Sequence, residues 1–507
     1  MFSKEDLEQI NKKGISLETI EKQLNIFKNG AQPAKLYRNV EPYEDVSEAF
    51  ASEISIPDES VKFVSFIPAS GAATRMFDNL YKTLAAINTV GEDNFILEID
   101  NSPQSTFTFF NNIKKFAFYD KLKECLKRDS LSINELLKEN KYRTILEYIL
   151  GDKGLNYGSK PKALIDFHFD NKTTKYAFEE HIAEAVKYTS CKDVYLHFTL
   201  SPEHVDEFYK KLSEVREHYE KKYNVNLHVD TSVQSSATDT IAVNPDNTLF
   251  RNPDNSLLFR PAGHGALIHN LNEIDADFIL IKNIDNVVPE RLRKNIINNR
   301  LKMMNCFLQV CLLRNQLMFE LENAIENKSA IDLSMFETAC ELTFKIFLQD
   351  SYKSLKHAEK LLVLHKMLNR PMRMCAMVRN EGEPGGGPFV VYDNEKLSMQ
   401  IVEKSQVDSS NPHQMKIFES AKYFNPVDIV CCVVNYKRVK YNLLDFIDEK
   451  AVFISNKTKD GKPLKALELP GLWNGAMSDW ITIFVEVLAS TFNPVKTVND
   501  LLRPAHQ

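Results

Sequence analysis

Val61-Lys62-Phe63-Val64-Ser65-Phe66-Ile67-Pro68-Ala69-Ser70-Gly71-Ala72-Ala73-Thr74-Arg75-Met76-Phe77 is the stretch on which the fold turns. Val61 to Ile67 is an apolar run rich in β-branched and aromatic residues, the composition of a buried strand. It stops at Pro68 and a run of small residues, and from Thr74 onward Leu80 and Leu84 recur at helical spacing. Strand, tight loop, helix is the unit of an α/β sheet. The unit recurs down the chain. Asp193 to Thr199 reads as a strand before a helix from about Glu203 to Tyr219, and Val225 to Val233 as the next strand. Asp277 to Asp285 is another apolar strand ending in polar residues, and strand patterns return in Met372 to Val378, Val427 to Asn435 and Ile481 to Leu488. Parallel neighbours need crossover connections, so the alternation predicts an α/β fold with a mixed, mainly parallel sheet flanked by helices.

The 507 residues exceed one ordinary core and point to several domains or one with large insertions. At 43% hydrophobic, 26% charged and 10% aromatic, the composition excludes collagen-like, coiled-coil-only and wholly disordered chains. Lys and Arg number 63 against 69 Asp and Glu, a net charge of −6, so neither a nucleic acid nor an anionic membrane is an expected partner. Cys125, Cys191, Cys306, Cys311, Cys340, Cys375, Cys431 and Cys432 show no C-x-x-C spacing and read as reduced, buried thiols. Met1-Phe2-Ser3-Lys4-Glu5-Asp6 is charged where a signal peptide is apolar, and no apolar run reaches transmembrane length. The expectation is a cytoplasmic protein.

Residues 3 to 30 carry helical spacing up to Gly30 and open a helical segment over 1–60. A core is expected over 61–440, with helical insertions at about 100–158, lysine-rich on one face, and 290–368, followed by a C-terminal segment over 441–507. Within the second insertion, helices are expected at about 290–325, 333–350 and 353–367; they could form a homodimer surface. No internal repeat, low-complexity tract or linker is apparent.

Only 16 residues are glycine, so their clusters carry information. The loop Pro68 to Arg75 lies past a strand, where backbone amides approach phosphates in open α/β sheets; a plain strand-to-helix turn explains it equally. Pro261 to Leu267 is a second small-residue loop. Asp285, just past a strand, suits a hard divalent cation or the N-cap of a helix starting at Pro289-Glu290. Glu381 to Phe389 holds four glycines and reads as a hairpin turn or a mobile substrate loop.

In order along the chain, these segments resemble the UDP-sugar pyrophosphorylases, above all the UDP-N-acetylhexosamine type. Phe66 to Arg75 is similar to that family's L-x-A-G-G-x-G-T-R signature, keeping Gly71, Thr74 and Arg75 but carrying Ser70 and Ala73 for two glycines. Pro161-Lys162-Ala163-Leu164-Ile165-Asp166 resembles P-K-G-x-x-D, His197 to Glu203 an M-T-S-E strand end, and Val233-Gln234 a strand end bearing glutamine. Arg260 to Leu267 is similar to S-P-x-G-N-G-G-L with His264 for asparagine, and Ile284-Asp285-Asn286 to V-D-N. Gln400 to Ser405 resembles V-V-E-Y-S, Phe424 to Ile429 F-N-x-x-N-I with Asp428 for the second asparagine, and Thr491 to Lys496 E-F-S-P-L-K. The whole chain looks like a member of a bacterial family of unknown function distantly related to those enzymes.

The resemblance implies a Rossmann-like, GT-A nucleotidyltransferase-type fold and a sugar 1-phosphate coupled to a nucleoside triphosphate, UTP-like, with release of pyrophosphate. It implies that Arg75, Lys162 and Lys496 act on the phosphates and that Asp285 holds Mg2+ or Mn2+. Ala69, Ser70, Gly71, Thr74, Gln234, Gly263, His264, Gly265, Glu403 and Asn425 would bind substrate, with the amides of Ser70 to Thr74 on the triphosphate. Each lysine has the plain alternative of a solvated cation, and His264 that of a structural histidine. A non-catalytic nucleotide- or sugar-binding protein of the same fold and a GT-A-like glycosyltransferase remain as alternative functions.

Overall fold

The computed structural model describes residues 2–43, 60–71, 73–170, 173–189, 191–382, 385–393 and 396–507. The chain separates into two compact units. The first comprises Met1–Phe66, Gln234–Ile281 and Lys302–Ala489; the second comprises Ile67–Val233, Lys282–Leu301 and Ser490–Gln507.

In the first unit, Tyr423–Phe424, Met372–Arg379, Asp428–Cys432, Phe278–Lys282 and Phe63–Pro68 lie side by side in that order. Phe63 to Phe66 pair in parallel with Phe278 to Ile281, and Met372 to Met377 with Ile481 to Glu486, while Met372 to Cys375 pair antiparallel with Cys432 to Ile429. The sheet is mixed, and helices flank it. Leu36–Asn39, Gly387–Asp393 and Lys396–Val402 form a small antiparallel sheet, and Phe453–Lys459, Lys462–Glu468, Thr240–Val243 and Phe259–Arg260 another.

The second unit pairs Asp193–Leu200 in parallel with Asn226–Val233 along their full length, and the helix Val205–Tyr223 makes the crossover that parallel strands require. A largely helical stretch, Thr106–Asn111, Tyr119–Arg128, Ile133–Lys138 and Tyr142–Leu150, buries Phe109, Phe118, Leu122, Ile145 and Ile149 in one core with Phe77, Tyr157, Phe178 and Phe198.

Several local expectations are corrected. The first 30 residues form two helices, Lys4–Lys12 and Leu17–Asn29, because Gly14 takes φ +75 between them, and residues 44–59 lie outside the described set. The helix expected over 333–350 runs only from Ser334 to Thr338, passes through a π turn at Ala339–Thr343, and stops before Lys345, whose φ is +54. The strand expected over Val427 to Asn435 narrows to Asp428–Cys432, since Val427 sits at φ +56 and Asn435 opens a turn. Glu381 to Phe389 is no hairpin turn: Met372–Arg379 and Gly387–Asp393 belong to different sheets. A Cβ on Gly386 would meet Ile401 at 2.8 Å and one on Gly387 the Phe389 ring at 2.8 Å, so packing accounts for both glycines; Glu383 and Pro384 lie outside the described residues.

Contrary to expectation, the chain carries one short repeat. Asn244-Pro245-Asp246-Asn247-Thr248-Leu249 recurs as Asn252-Pro253-Asp254-Asn255-Ser256-Leu257. Each copy makes the same turn, with Asn247 at φ +69 and Asn255 at +68, and with Asp246 and Asp254 accepting from Thr248 and Ser256. All eight cysteines are free; seven are buried and Cys191 is partly exposed.

Candidate functional site

In the second unit, Lys282-Asn283-Ile284-Asp285-Asn286 follows the strand Phe278–Lys282 and delivers Asp285 into a buried position. The Lys162 ammonium donates to Asp285 Oδ2 at 2.7 Å and to the Val495 carbonyl at 2.7 Å. Lys496 Nζ lies 3.7 Å from the same Oδ2 and is half exposed. Asp285 Oδ1 is buried without a hydrogen-bond partner. Burial pushes the carboxyl up, but the ammonium groups of Lys162 and then Lys496 outweigh it, so its pKa is lowered and the group is ionised at neutral pH.

Backbone ties explain how residues so far apart in sequence meet. The Val495 amide donates to the Asp285 carbonyl at 3.0 Å, and Asn286 forms an isolated bridge with Pro494. The buried Asn286 side chain accepts from the Asn493 amide at 2.8 Å and donates to the Thr491 carbonyl at 3.4 Å. The segment Thr491 to Lys496 is thereby clipped onto Asp285 and Asn286.

The loop after Pro68 belongs to the same unit. Ala69 N–H donates to the Thr199 carbonyl at 3.0 Å, Ser201 Oγ donates to the Ser70 carbonyl at 2.7 Å, and Ala73 N–H donates to the Lys160 carbonyl at 2.9 Å. Lys160 is two residues from Lys162, so the loop is anchored beside the segment that carries that lysine. The N–H groups of Ser70 and Gly71 are not spent on any acceptor among the described residues. A Cβ on Gly71 would meet nothing within 4 Å and its φ is ordinary, so no packing within the protein calls for glycine there. Arg75 is exposed and has no ion pair or hydrogen bond among the described residues, and Thr74 is exposed beside it. The expectation that every amide from Ser70 to Thr74 serves a phosphate needs one correction. Ala73 is fully buried, its methyl in the core and its N–H committed to Lys160, and Ala72 lies outside the described residues.

The remaining candidates fall in the first unit. Gln234 Nε2 donates to Thr238 Oγ1 at 3.3 Å. His264 stacks on Trp473, with ring centroids 4.1 Å apart, and accepts the Leu472 N–H at Nδ1. Burial lowers its pKa to about 4 and keeps the ring neutral. Gly265 abuts the backbone of Leu469 and Pro470, where a Cβ would come within 2.3 Å of the Pro470 carbonyl oxygen. Gly263 has φ +76 and faces Glu468, so this loop's glycines answer to local packing. Glu403 is half-buried, and burial and then the Glu468 charge raise its pKa. Asn425 spends its side chain on backbone, donating to the Ala376 carbonyl at 2.7 Å and accepting from the Val427 amide at 3.1 Å.

A divalent cation fits Asp285 in one manner only. Among the described residues no group of three His, Cys, Asp or Glu could hold a metal, and Asp285 stands alone between two ammonium groups. Its unpartnered oxygen can supply one ligand to Mg2+, which ordinarily keeps several waters and takes the rest of its shell from phosphate oxygens. Asn286, Thr199, Ser201 and the Lys160 carbonyl were not singled out as functional from the sequence; their roles lie in hydrogen bonds between distant segments. Among the described residues no helix is long and apolar enough to cross a membrane.

No curated protein sequence matches the chain. Among solved structures, it is similar to the UDP-glucose pyrophosphorylase of Leishmania major, at 11% identity over 98% of this chain and 77% of that one, with a TM-score of 0.45. It is also similar to the UDP-glucose phosphorylase of Trypanosoma brucei, at 12% identity over 98% of this chain and 77% of that one, with a TM-score of 0.45. A protein from Entamoeba histolytica described as a UDP-N-acetylglucosamine pyrophosphorylase aligns at 11% over 89% and 80%, with a TM-score of 0.38. Over residues 3–507 the sequence matches the family described as a domain of unknown function (DUF4301), and the chain belongs to that family.

Proposed function

We propose that the protein is a cytoplasmic nucleotidyltransferase that couples a sugar 1-phosphate to a nucleoside triphosphate, UTP-like, and releases pyrophosphate. The observation that carries this reading is the constellation of Asp285, Lys162 and Lys496: one ionised carboxylate with a buried, unpartnered oxygen, held by two lysines from segments far apart in sequence. Such a group has little use in a core, whereas phosphoryl transfer asks for positioned cations and a metal-binding carboxylate.

In this reading the free N–H groups of Ser70 and Gly71 and the unpaired Arg75 hold the triphosphate, and Lys162 and Lys496 neutralise charge on the transferred phosphoryl group. Asp285 would hold Mg2+ or Mn2+ through its unpartnered oxygen, and the ion would supply further neutralisation of phosphate charge. The sugar phosphate oxygen attacks the α-phosphorus, the bond to the β-phosphate oxygen breaks, and pyrophosphate leaves. Lys162 starts out neutralised by Asp285, so an arriving phosphate oxygen meets a cation already held in an ion pair instead of an unbalanced field.

Ala73 favours a second reading, a non-catalytic nucleotide-binding protein, because its buried methyl and committed N–H leave the loop fewer donors. Pyrophosphate release from UTP and a panel of sugar 1-phosphates separates the two. Turnover abolished in Lys162→Ala supports the enzyme, and nucleotide binding without turnover supports the binding protein. No nucleotide binding by folded protein sinks both.

A further inference from the structure

The helix Ala177–Ala185 is buried along its whole length, yet four of its nine residues, Glu179, Glu180, His181 and Glu184, are ionisable. Apolar side chains of similar volume would often fill such a site with equal or better stability, because desolvating ion pairs is costly. The charges therefore invite a reason other than stability, and their partners supply one. His181 Nε2 lies 3.0 Å from the carbonyl oxygen of Ile284, the residue before Asp285. A carbonyl only accepts, so Nε2 carries the proton; burial, followed by the nearby Lys282 ammonium, lowers the pKa to about 3 and keeps the ring neutral. The ring packs edge-on to Phe198, which limits its rotation. Glu184 takes the ammonium of Lys282, three residues before Asp285, together with Arg300 at 2.9 Å and the Tyr188 hydroxyl at 3.0 Å. One helix thus grips the segment Lys282 to Asp285 at two points. A bond to the Ile284 carbonyl fixes the peptide plane between Ile284 and Asp285, and that plane sets the direction in which the Asp285 side chain leaves the backbone.

We propose that His181 is a positioning residue: its Nε2–H bond to the Ile284 carbonyl, assisted by the hold of Glu184 on Lys282, sets the Asp285 carboxylate against the Lys162 ammonium. Its consequence for ligand binding rests on the nucleotide-site reading of Asp285; the placement itself does not.

The test labels lysines of the full chain with an acetylating reagent and follows each by mass spectrometry in wild type, His181→Leu and His181→Gln. Glutamine puts an amide N–H near the place of Nε2, and leucine removes the donor. Acetylation of Lys162 is expected to be about fivefold faster in His181→Leu, where the partner carboxylate drifts, and within about twofold of wild type in His181→Gln, with Lys450 of the other unit unchanged throughout. A role in stability alone predicts faster labelling at many lysines or the same change in both variants, and either result overturns the proposal, as does an unchanged Lys162 in folded His181→Leu. If His181→Leu fails to fold, Glu184→Gln, which also frees Lys282, takes its place; faster labelling at Lys162 with no lysine but Lys282 joining it supports the proposal, and an unchanged Lys162 or faster labelling at other lysines overturns it. In a second arm, the melting-temperature rise caused by MgUTP should shrink in His181→Leu and return in His181→Gln. If the wild type shows no rise with MgUTP or any other nucleoside triphosphate, the nucleotidyltransferase reading fails, and the labelling arm still decides the role of His181.

Discussion

At the residue scale, Asp285 divides its two oxygens: Oδ2 takes both lysines and Oδ1 none. Removing the carboxylate leaves Lys162 poorly solvated beside another cation. Asp285→Ala should therefore cost about 2–3 kcal/mol of stability without ligand, somewhat under the range for a wholly buried pair. Lys496→Ala, which loses only a long, half-exposed contact, should cost at most about 0.5 kcal/mol. Urea denaturation distinguishes the two, and equal losses would contradict the geometry. Two glycines make a sharper contrast. Gly265→Ala drives a methyl into the Pro470 carbonyl and should destabilise by about 2 kcal/mol or more, whereas Gly71→Ala meets open space and should stay within about 0.5 kcal/mol. If the Gly71 loop receives phosphates, that silent methyl should nevertheless weaken nucleotide binding about tenfold, as calorimetry of the folded variant would show.

At the element scale, the site depends on the clip between Asn286 and the segment Thr491 to Lys496. Asn286→Ala strands the Asn493 amide and should cost about 1–3 kcal/mol, with Lys496 less well held; thermal unfolding checks the first part and Lys496 acetylation the second. Periodicity located the strands Asp193–Leu200, Asn226–Val233 and Met372–Arg379 and the helices Glu290–Glu326 and His357–Leu368, because long apolar runs and sustained 3.6-residue spacing are local signals. It failed at Lys345 and Val427, where a positive φ ends an element without a glycine to announce it. The pairing of Met372–Arg379 with Ile481–Glu486, about 110 residues later, has no local signature at all.

At the scale of the whole molecule, the α/β class was legible from the alternation of strands and helices, whereas the meeting of Lys162, Asp285 and Lys496 was legible only through a resemblance of motifs. Nothing in their spacing brings them together; the hydrogen bonds of Val495 and Asn286 do. The buried polar face of the helix Ala177–Ala185 was invisible for the same reason, since Glu, His and Ala on a helix read as solvated. Its histidine predicts a pH dependence. Burial lowers His181 and His506 to about 3 and His264 to about 4, all below the ordinary 6.5. The unfolded chain therefore binds these protons first, so their contribution is complete above about pH 6.5 and is lost as pH falls toward 4, by at most about 1.4 kcal/mol per pH unit for each group. The carboxyls of Glu179 and Glu403, raised by burial, act in the opposite direction with smaller shifts. Those of Asp6 and Glu184, lowered to about 2, lose their contribution only below the ordinary carboxylate range. Denaturation midpoints should thus be lower at pH 5 than at pH 7.5, and equal midpoints would contradict the burial of these rings. The most direct test of the central claim is calorimetric titration of the wild type and of folded Asp285→Asn with MgUTP. The account predicts saturable binding to the wild type, weakened at least about tenfold in the variant; no binding to the wild type, or equal binding to both, would contradict it.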